Sequence, residues 1–256
     1  LHRRDCTSLG RCYIQGMITV TPIPILSDNY AWLLRDEESG CLAVVDPADP
    51  APVAAAIDAA GGKLDMILLT HHHGDHVAGT DEIRARYGAQ VVGARADRHR
   101  LPKLDREVWE GSEVDLGAST ARVYETPGHT RGHISFYFPD GGVLLCGDTL
   151  FSLGCGRLLE GTAAEMFNSL MKFAALPGAT LVCCGHEYTE SNARFALHAD
   201  PENLDLHAYA ERVKELRAMG LPTLPSKLSD ELECNPFLRA GDVATLADLR
   251  ARKDKF

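Results

Sequence analysis

The chain contains the stretch Met66-Ile67-Leu68-Leu69-Thr70-His71-His72-His73-Gly74-Asp75-His76. Its short apolar start predicts a buried strand, which ends where the polar residues and glycine begin. His71 and His73 are two positions apart, so in extended chain both imidazoles project to the same side. Asp75 and His76 follow on the turn into a predicted helix. Zn²⁺ binds such imidazole nitrogens and carboxylate oxygens at about 2.0–2.2 Å, so the stretch predicts a metal site.

Three later strands end in a similar way. Apolar runs predict strands at 121–126, 143–146 and 180–184, and after each comes a glycine followed by His129, Asp148 or His186. One such event carries little weight, because strand ends often contain glycine and polar residues. Four of them indicate that one edge of a sheet is lined with metal ligands.

These residues are too many for one tetrahedral ion and suit two ions that share one ligand. Asp148 is the natural bridge, because a carboxylate can offer one oxygen lone pair to each metal. The expected division gives one ion His71, His73 and His129, and the other Asp75, His76 and His186. A hydroxide shared by metals about 3.5–4 Å apart would form near neutral pH. Asp75 and Asp148, together with this hydroxide, are the expected catalytic groups.

The motif His-x-His-x-Asp-His, with the three later ligands, resembles the metallo-β-lactamase superfamily. Narrower motifs resemble one family within it, the bacterial form of glyoxalase II (hydroxyacylglutathione hydrolase). They are Gly147-Asp148-Thr149-Leu150-Phe151, Gly154-Cys155-Gly156-Arg157, Gly185-His186-Glu187-Tyr188-Thr189 and the tail Arg250-Ala251-Arg252-Lys253-Asp254-Lys255-Phe256. The resemblance runs from Met17 to Phe256.

The resemblance implies a reaction and a cofactor. The reaction is hydrolysis of an S-(2-hydroxyacyl)glutathione, with S-D-lactoylglutathione giving glutathione and D-lactate in methylglyoxal detoxification. A hydroxide held by two divalent ions attacks the thioester carbonyl, and one ion stabilises the oxyanion. Zn is the first expectation for both ions, and Fe or Mn would also suit imidazole and carboxylate ligands.

Four residues are expected to bind the substrate. Arg250 and Lys253, three apart on a predicted helix, face the same side and match the family's carboxylate-binding pair. Arg157 matches a position where animal relatives carry lysine, and its guanidinium can hold a carboxylate bidentately. Tyr188 matches a tyrosine that contacts the peptide. At Leu159, animal relatives carry a substrate-contacting tyrosine, so that contact is absent here.

The fold expected from the sequence is α/β, because predicted strands and helices are interspersed. The family resemblance makes it a metallo-β-lactamase-like αββα sandwich followed by a small C-terminal helical domain. Residues 17–188 are the expected catalytic domain and residues 189–256 the mainly helical substrate-binding domain. Residues 1–16 precede Met17 and lack a signal-like apolar region, so we expect a non-native or disordered extension. Strands are also predicted at 18–24, 30–34 and 41–46, and helices at 52–60, 81–87, 163–174, 203–219 and 243–250.

Composition excludes several classes of protein. The chain has 256 residues, 45% of them hydrophobic, and a formal net charge of −10, which argues against nucleic acid or an anionic membrane as partner. None of its apolar runs approaches the roughly 18 residues that span a bilayer. Its eight cysteines contain no Cys-x-x-Cys pair, which fits a reducing cytoplasm. We expect a cytoplasmic monomer.

Other residues near the motifs have expected supporting roles. By alternation His72 should point away from the metals, and His133 is expected to support the ligands rather than bind a metal. Asp46 ends a strand and resembles the family's carboxylate that orients a metal-ligand region. Cys155 is expected to be structural, because the hydroxide already supplies the nucleophile.

Other functions remain as alternatives. A persulfide dioxygenase resembles this metal motif but uses one iron and consumes oxygen, and its relatives generally lack the helical tail. A class B β-lactamase would carry cysteine in place of Asp148, and a lactonase or RNA-processing hydrolase would lack the basic tail. A metal-binding module without catalysis is the non-enzymatic alternative.

Overall fold

The computed structural model describes residues 2–6, 10–15 and 17–256. The chain forms two compact units. The first unit comprises Leu1–Glu125 and Gly132–Gly147, and the second comprises Thr126–Arg131 and Asp148–Phe256. This division differs from the expected domain boundary at 188/189, which stays a prediction.

The first sheet of the first unit places its strands in chain order. Its strands are β1 (His2–Cys6), β2 (Gly10–Gln15), β3 (Ile18–Ile25), β4 (Asn29–Asp36), β5 (Leu42–Val45), β6 (Met66–Leu68), β7 (Gln90–Ala94) and β8 (Arg106–Val108). Neighbours from β1 to β5 pair antiparallel, and those from β5 to β8 pair parallel. The parallel strands require crossover connections, which contain α1 (Pro50–Ala59), α2 (Gly74–Val77) and α3 (Thr80–Tyr87).

The parallel pairing explains the position of the histidine motif. All three residues of β6 are buried, as expected for a central parallel strand covered on both faces. The carboxyl ends of β5 and β6 lie at the same edge of the sheet. Asp46 follows β5 and Thr70 follows β6, and the backbone N–H of Asp46 donates to the carbonyl of Leu68 at 3.0 Å. The parallel part of the sheet therefore presents the motif and Asp46 side by side.

The second sheet of the first unit is antiparallel. Its strands are β9 (Glu113–Leu116), β10 (Ser119–Glu125), β11 (Ile134–Phe138) and β12 (Val143–Gly147). Strands that are consecutive in the chain are also neighbours in this sheet, in the order β12-β11-β10-β9. Every residue of β11 and β12 is buried, so these strands belong to the core.

The second unit is mainly helical. Its elements are the strands β13 (Leu150–Phe151), β14 (Gly154–Cys155), β15 (Leu181–Cys184) and β16 (Ser226–Lys227), with the helices α4 (Ala163–Ala174), α5 (Thr189–Ala199), α6 (Leu204–Ala218), α7 (Leu228–Cys234) and α8 (Val243–Lys253). Thr162 and Glu165 form a capping box at the start of α4. A buried apolar cluster that includes Leu153, Leu206 and Val213 supports the helices of this unit.

Most predicted elements form within two or three residues of their expected bounds, and α4 has the bounds that were predicted. Helix α1 begins at Pro50, two residues early, because Asp49 caps it and proline suits the first helical position. Strands β7, β8, β9, β11, β13 and β14 and helices α5 and α7 were not predicted. The expectation that strands cease after about Thr189 is wrong at β16, which pairs with β15.

The prediction for residues 1–16 is tested only in part. Within 1–16, residues 2–6 and 10–15 form strands rather than disordered chain, whereas residues 1, 7–9 and 16 lie outside the described residues. Whether the segment is non-native stays a prediction.

In the part of the chain that the structure describes, no helix is both long and apolar enough to cross a membrane.

Candidate active site

The first unit brings His71 and His73 together as the alternation predicted. Nε2 of His71 lies 3.1 Å from Nδ1 of His73, and the two rings are nearly perpendicular, with an interplanar angle of 80°. Nδ1 of His71 lies 3.0 Å from the hydroxyl of Thr70, which leaves Nε2 as the atom that faces His73. The His71 ring is completely buried.

Asp46 orients the second pair of candidate ligands through His76. Its carboxylate accepts from the backbone N–H of Thr70 at 2.9 Å and from the Thr70 hydroxyl at 2.7 Å. Nδ1 of His76 lies 2.9 Å from Oδ2 of the same carboxylate. This contact directs Nε2 of His76 away from Asp46, as expected of a carboxylate that supports a histidine ligand. These contacts agree with the orienting role expected of Asp46, which stays a prediction.

Asp75 is the exposed member of the motif. Its Oδ2 lies 3.8 Å from Nε2 of His76 and accepts a hydrogen bond from the side-chain amide of Asn29 at 3.1 Å. The amide of Asn29 also donates to the backbone carbonyl of Asp75 at 3.1 Å. Sequence reasoning missed Asn29, because it lies far away in the chain and carries no motif of its own.

His72 and His133 differ from the ligands in their surroundings. Nδ1 of His72 lies 3.0 Å from Oδ2 of Asp97, so this nitrogen is engaged by a residue outside the set of candidate ligands. His133 is completely buried and stacks on His71, with ring centroids 4.9 Å apart. It packs against the ring of His71, and its expected supporting role stays a prediction.

The second unit brings the three later candidates together around one carboxylate oxygen. Oδ2 of Asp148 lies 3.5 Å from Nε2 of His129 and 3.4 Å from Nε2 of His186. The three side chains are nearly buried. Nδ1 of His129 lies 2.9 Å from the carbonyl of Arg157, so it donates there and leaves Nε2 as an acceptor.

The spacing of these atoms fits metal coordination. Two ligand atoms at about 2.0–2.1 Å from one tetrahedral ion are about 3.3 Å apart. Three observed distances are close to this value. One separates the nitrogens of His71 and His73, and the other two run from the Asp148 oxygen to the nitrogens of His129 and His186. Imidazole and carboxylate together suit Zn, Fe or Mn. The residues of both units therefore fit a metal cofactor.

A cavity of about 620 Å³ opens beside Asp148 within the second unit. All four predicted substrate-binding residues line it: Arg157, Tyr188, Arg250 and Lys253. The remaining lining residues are His129, Asp148, Phe151, Cys155, Ser191, Asn192, Arg194, Asp254 and Phe256. Of these, Ser191, Asn192 and Arg194 lie outside the motifs that the sequence indicated. Leu159 is exposed and is not among the described residues that line the cavity.

The two basic residues of the tail are not equivalent. Arg250 is almost completely buried, donates from Nη1 to the carbonyl of Cys155 at 2.8 Å, and has Nη2 2.9 Å from Oδ1 of Asp254. Lys253 is half-buried and donates to the carbonyl of Ser191 at 3.2 Å. Burial, reinforced by the nearby cations Arg250 and Arg194, lowers the pKa of Lys253 to about 8. Arg250 is therefore already paired with Asp254, whereas Lys253 is the cation whose charge depends on pH near pH 8.

Arg157 and Tyr188 lie at more open positions of the cavity. The Arg157 side chain is 72% exposed, and its Nε lies 3.9 Å from Oδ1 of Asp254. The Tyr188 ring stacks on His186 at 4.6 Å between centroids, so it connects the candidate ligand to the cavity wall.

Cys155 has the properties of a structural residue. Its side chain is buried, and burial raises the pKa of the thiol to about 11. The thiol is therefore protonated near neutral pH, which makes it a poor nucleophile. Its backbone carbonyl, rather than its sulfur, makes the short contact with Arg250.

Comparison with known proteins identifies the family. Residues 26–186 match the family model described as the metallo-beta-lactamase superfamily, and residues 187–256 match that of the hydroxyacylglutathione hydrolase C-terminus. A hydroxyacylglutathione hydrolase of Acidiphilium cryptum is 54% identical over 238 residues, which cover 93% of this chain and 97% of that protein. The chain belongs to the hydroxyacylglutathione hydrolase family. A second relative of that name, from Methylococcus capsulatus, is 48% identical and covers 94% of this chain and 99% of that protein.

Solved structures agree on the fold. The structure of ETHE1 from Myxococcus xanthus matches with a TM-score of 0.68 at 23% identity, and the match covers 91% of this chain and 89% of that one. At this identity the likeness shows the fold alone. The predicted α/β metallo-β-lactamase fold with an added C-terminal family segment is confirmed. Membership of the hydroxyacylglutathione hydrolase family also confirms the resemblance of the narrower motifs.

Proposed function

We propose that this chain hydrolyses S-(2-hydroxyacyl)glutathione thioesters, S-D-lactoylglutathione among them, to glutathione and a 2-hydroxy acid, and that it uses two divalent metal ions. The single observation that carries the proposal is the arrangement around Asp148, where one carboxylate oxygen faces two imidazole nitrogens beside a cavity lined with cations. Full-length similarity to proteins named hydroxyacylglutathione hydrolase supports the same reaction.

The metal ligands would be the residues that the sequence indicated. They are His71, His73, Asp75, His76, His129, Asp148 and His186. Two ions bound there would make water a nucleophile near neutral pH and would polarise the thioester carbonyl. Asp46 and Thr70 fix the orientation of the histidines, and Asn29 fixes that of Asp75. We propose Zn for both ions, with Fe or Mn as alternatives.

The cavity would hold the glutathione part of the substrate. Lys253 and Arg157 offer cations to carboxylates, while Tyr188 offers a ring face and a hydroxyl. A thiolate is a good leaving group, so the residues around the site do not need to supply a strong general acid. The acidic chain can therefore bind an anionic thioester because four of its cations line this cavity.

Hydrolysis can be tested directly against the alternative of a persulfide dioxygenase. Purified protein should release glutathione thiol and D-lactate in equal amounts from S-D-lactoylglutathione, and a chelator should abolish the release until metal is restored. Oxygen consumption with glutathione persulfide, and no thioester hydrolysis, would favour the dioxygenase instead. A β-lactamase is disfavoured by the aspartate at position 148.

Several properties follow as further proposals. Six cysteines in the described residues are in the thiol form, which suits a reducing compartment such as the cytoplasm. We propose a monomer in which residues 17–188 carry the catalytic site and residues 189–256 bind the substrate. The two family models meet at residues 186 and 187, close to this boundary.

A further inference from the structure

The charges that line the cavity are not all accounted for by contacts within the protein. Four cations line it, namely Arg157, Arg194, Arg250 and Lys253. Asp254 pairs with Arg250 at 2.9 Å and lies 3.9 Å from Arg157. The other carboxylate in the lining, Asp148, lies between two histidines. The cavity therefore holds more positive than negative charge.

Arg194 contributes to this excess most clearly. It lies on α5, one turn after Ser191, and its side chain is exposed. Within the described part of the chain, Arg194 has no hydrogen-bond or ion-pair partner, although its charge repels Lys253 and helps to lower the pKa of that lysine. Two cations that repel one another raise the free energy of the empty cavity, and an anionic ligand between them removes that cost.

We propose that Arg194 is a specificity-determining residue that binds the γ-glutamyl carboxylate of the substrate, while Lys253 binds the glycine carboxylate. This inference rests on the proposed function, because it assumes a glutathione thioester in the cavity. The glycine carboxylate is the nearer of the two to the thioester along the tripeptide, so it suits the half-buried Lys253. The γ-glutamyl carboxylate is the more distant one and suits the exposed Arg194.

The exposure of Arg194 limits the size of the effect. Exposed ion pairs contribute less than buried charge-assisted hydrogen bonds, because water screens them. Loss of this contact should therefore raise KM about threefold to tenfold. The turnover number should change little, because the contact is remote from the thioester and is made equally in the bound and transition states.

The test compares two substrates and three variants. The substrates are S-D-lactoylglutathione and S-D-lactoyl-N-acetylcysteinylglycine, which keeps the glycine carboxylate but lacks the γ-glutamyl one. The variants are Arg194→Ala, Arg194→Lys and the control Arg252→Ala, which removes an exposed arginine that pairs with Asp248 and does not line the cavity. Thermal unfolding midpoints establish that each variant is folded.

We expect Arg194→Ala to raise KM for the glutathione thioester about threefold to tenfold and to leave KM for the truncated thioester unchanged. Arg194→Lys should restore most of the affinity, and Arg252→Ala should behave as wild type. An unchanged KM in Arg194→Ala, or equal losses on both substrates, would overturn the inference alone. Absence of thioester hydrolysis by the wild type would overturn the proposed function and the inference with it.

Discussion

Nδ1 of His76 lies 2.9 Å from Oδ2 of Asp46, and both side chains are almost completely buried. The contact fixes the tautomer of His76, because the ring must donate from Nδ1 and is left with a lone pair on Nε2. A histidine held in this way is prepared to bind a metal through Nε2, and its partner carboxylate matters nearly as much as the ligand itself.

Asp46→Asn should therefore weaken metal binding without removing any ligand. The amide keeps the shape of the carboxylate but must present an N–H where an oxygen now accepts, so it conflicts with Thr70 or with His76. We expect metal affinity to fall about 10- to 100-fold, measured by competition with a chelator. The matched control is Asp97→Asn, which alters the buried partner of His72 and should retain normal metal affinity. Equal losses in the two variants would contradict the role of Asp46.

Cys155→Ala should retain the reaction. The thiol is protonated near neutral pH, since burial raises its pKa to about 11, and Arg250 bonds to the backbone carbonyl that the substitution keeps. We expect kcat/KM to stay within about tenfold of wild type, because only packing changes. Mass spectrometry of the enzyme during turnover should show no acyl group on the protein. A covalent acyl group on Cys155 would refute a structural role.

Lys253 should make substrate binding depend on pH. Its pKa is lowered to about 8, first by burial and then by Arg250, Arg194 and Arg157, with Cys155 as a weak opposing influence. A lysine is charged below its pKa, so the cation is present at pH 7 and is lost as the pH rises through 8. KM for the glutathione thioester should therefore rise between pH 7 and pH 9, after correction for spontaneous hydrolysis.

Lys253→Arg provides the control for that titration. A guanidinium stays charged throughout this range, so the variant should show a flat KM. A flat KM in the wild type would mean that the Lys253 charge does not contribute to binding. Replacing Arg250 is a poorer test, because its side chain is buried and would leave the carbonyl of Cys155 without its donor.

Glu231 should stabilise the second unit. Its Oε2 accepts from the backbone N–H of Leu153 at 2.8 Å and from Asn235 at 3.1 Å, and the carboxyl is completely buried. Leu153 has a φ of 57°, a backbone conformation that residues other than glycine rarely adopt. Its loop therefore depends on such contacts.

Glu231→Ala would leave the buried N–H of Leu153 without this acceptor. We expect the free energy of unfolding to fall by at least about 1–3 kcal/mol in urea titrations. The exposed Glu233→Ala is the matched control and should change it by less than about 0.5 kcal/mol. A similar stability for the two variants would show that Glu231 contributes no net stabilisation.

Local sequence patterns predicted the motif because its geometry is local. The alternation of His71 and His73, and the glycines at strand ends, depend on residues that are neighbours in the chain. The contact of Asn29 with Asp75 could not be predicted in this way, because it joins residues that only the folded sheet brings together. Strand β7 was missed because it is short and its buried residues do not alternate with polar ones.

The basic tail shows the same limit. The spacing of Arg250 and Lys253 indicated a shared face, but it did not reveal that Arg250 is buried. One local signal was present, because Asp254 lies four residues after Arg250, the spacing of a helical ion pair. Arg194 carried no motif, and only the cavity shows that it lies with the other cations.

The central claim is tested most directly by measuring metal content per chain for the wild type and for Asp148→Ala. Turnover of S-D-lactoylglutathione is measured in the same samples. If Asp148 is shared by two ions, the wild type should hold about two metal ions per chain, and the variant should hold fewer and lose nearly all turnover. A variant that retains two metal ions and most of its activity would contradict the shared carboxylate. A fully active wild type with one metal ion per chain would contradict the two-metal site.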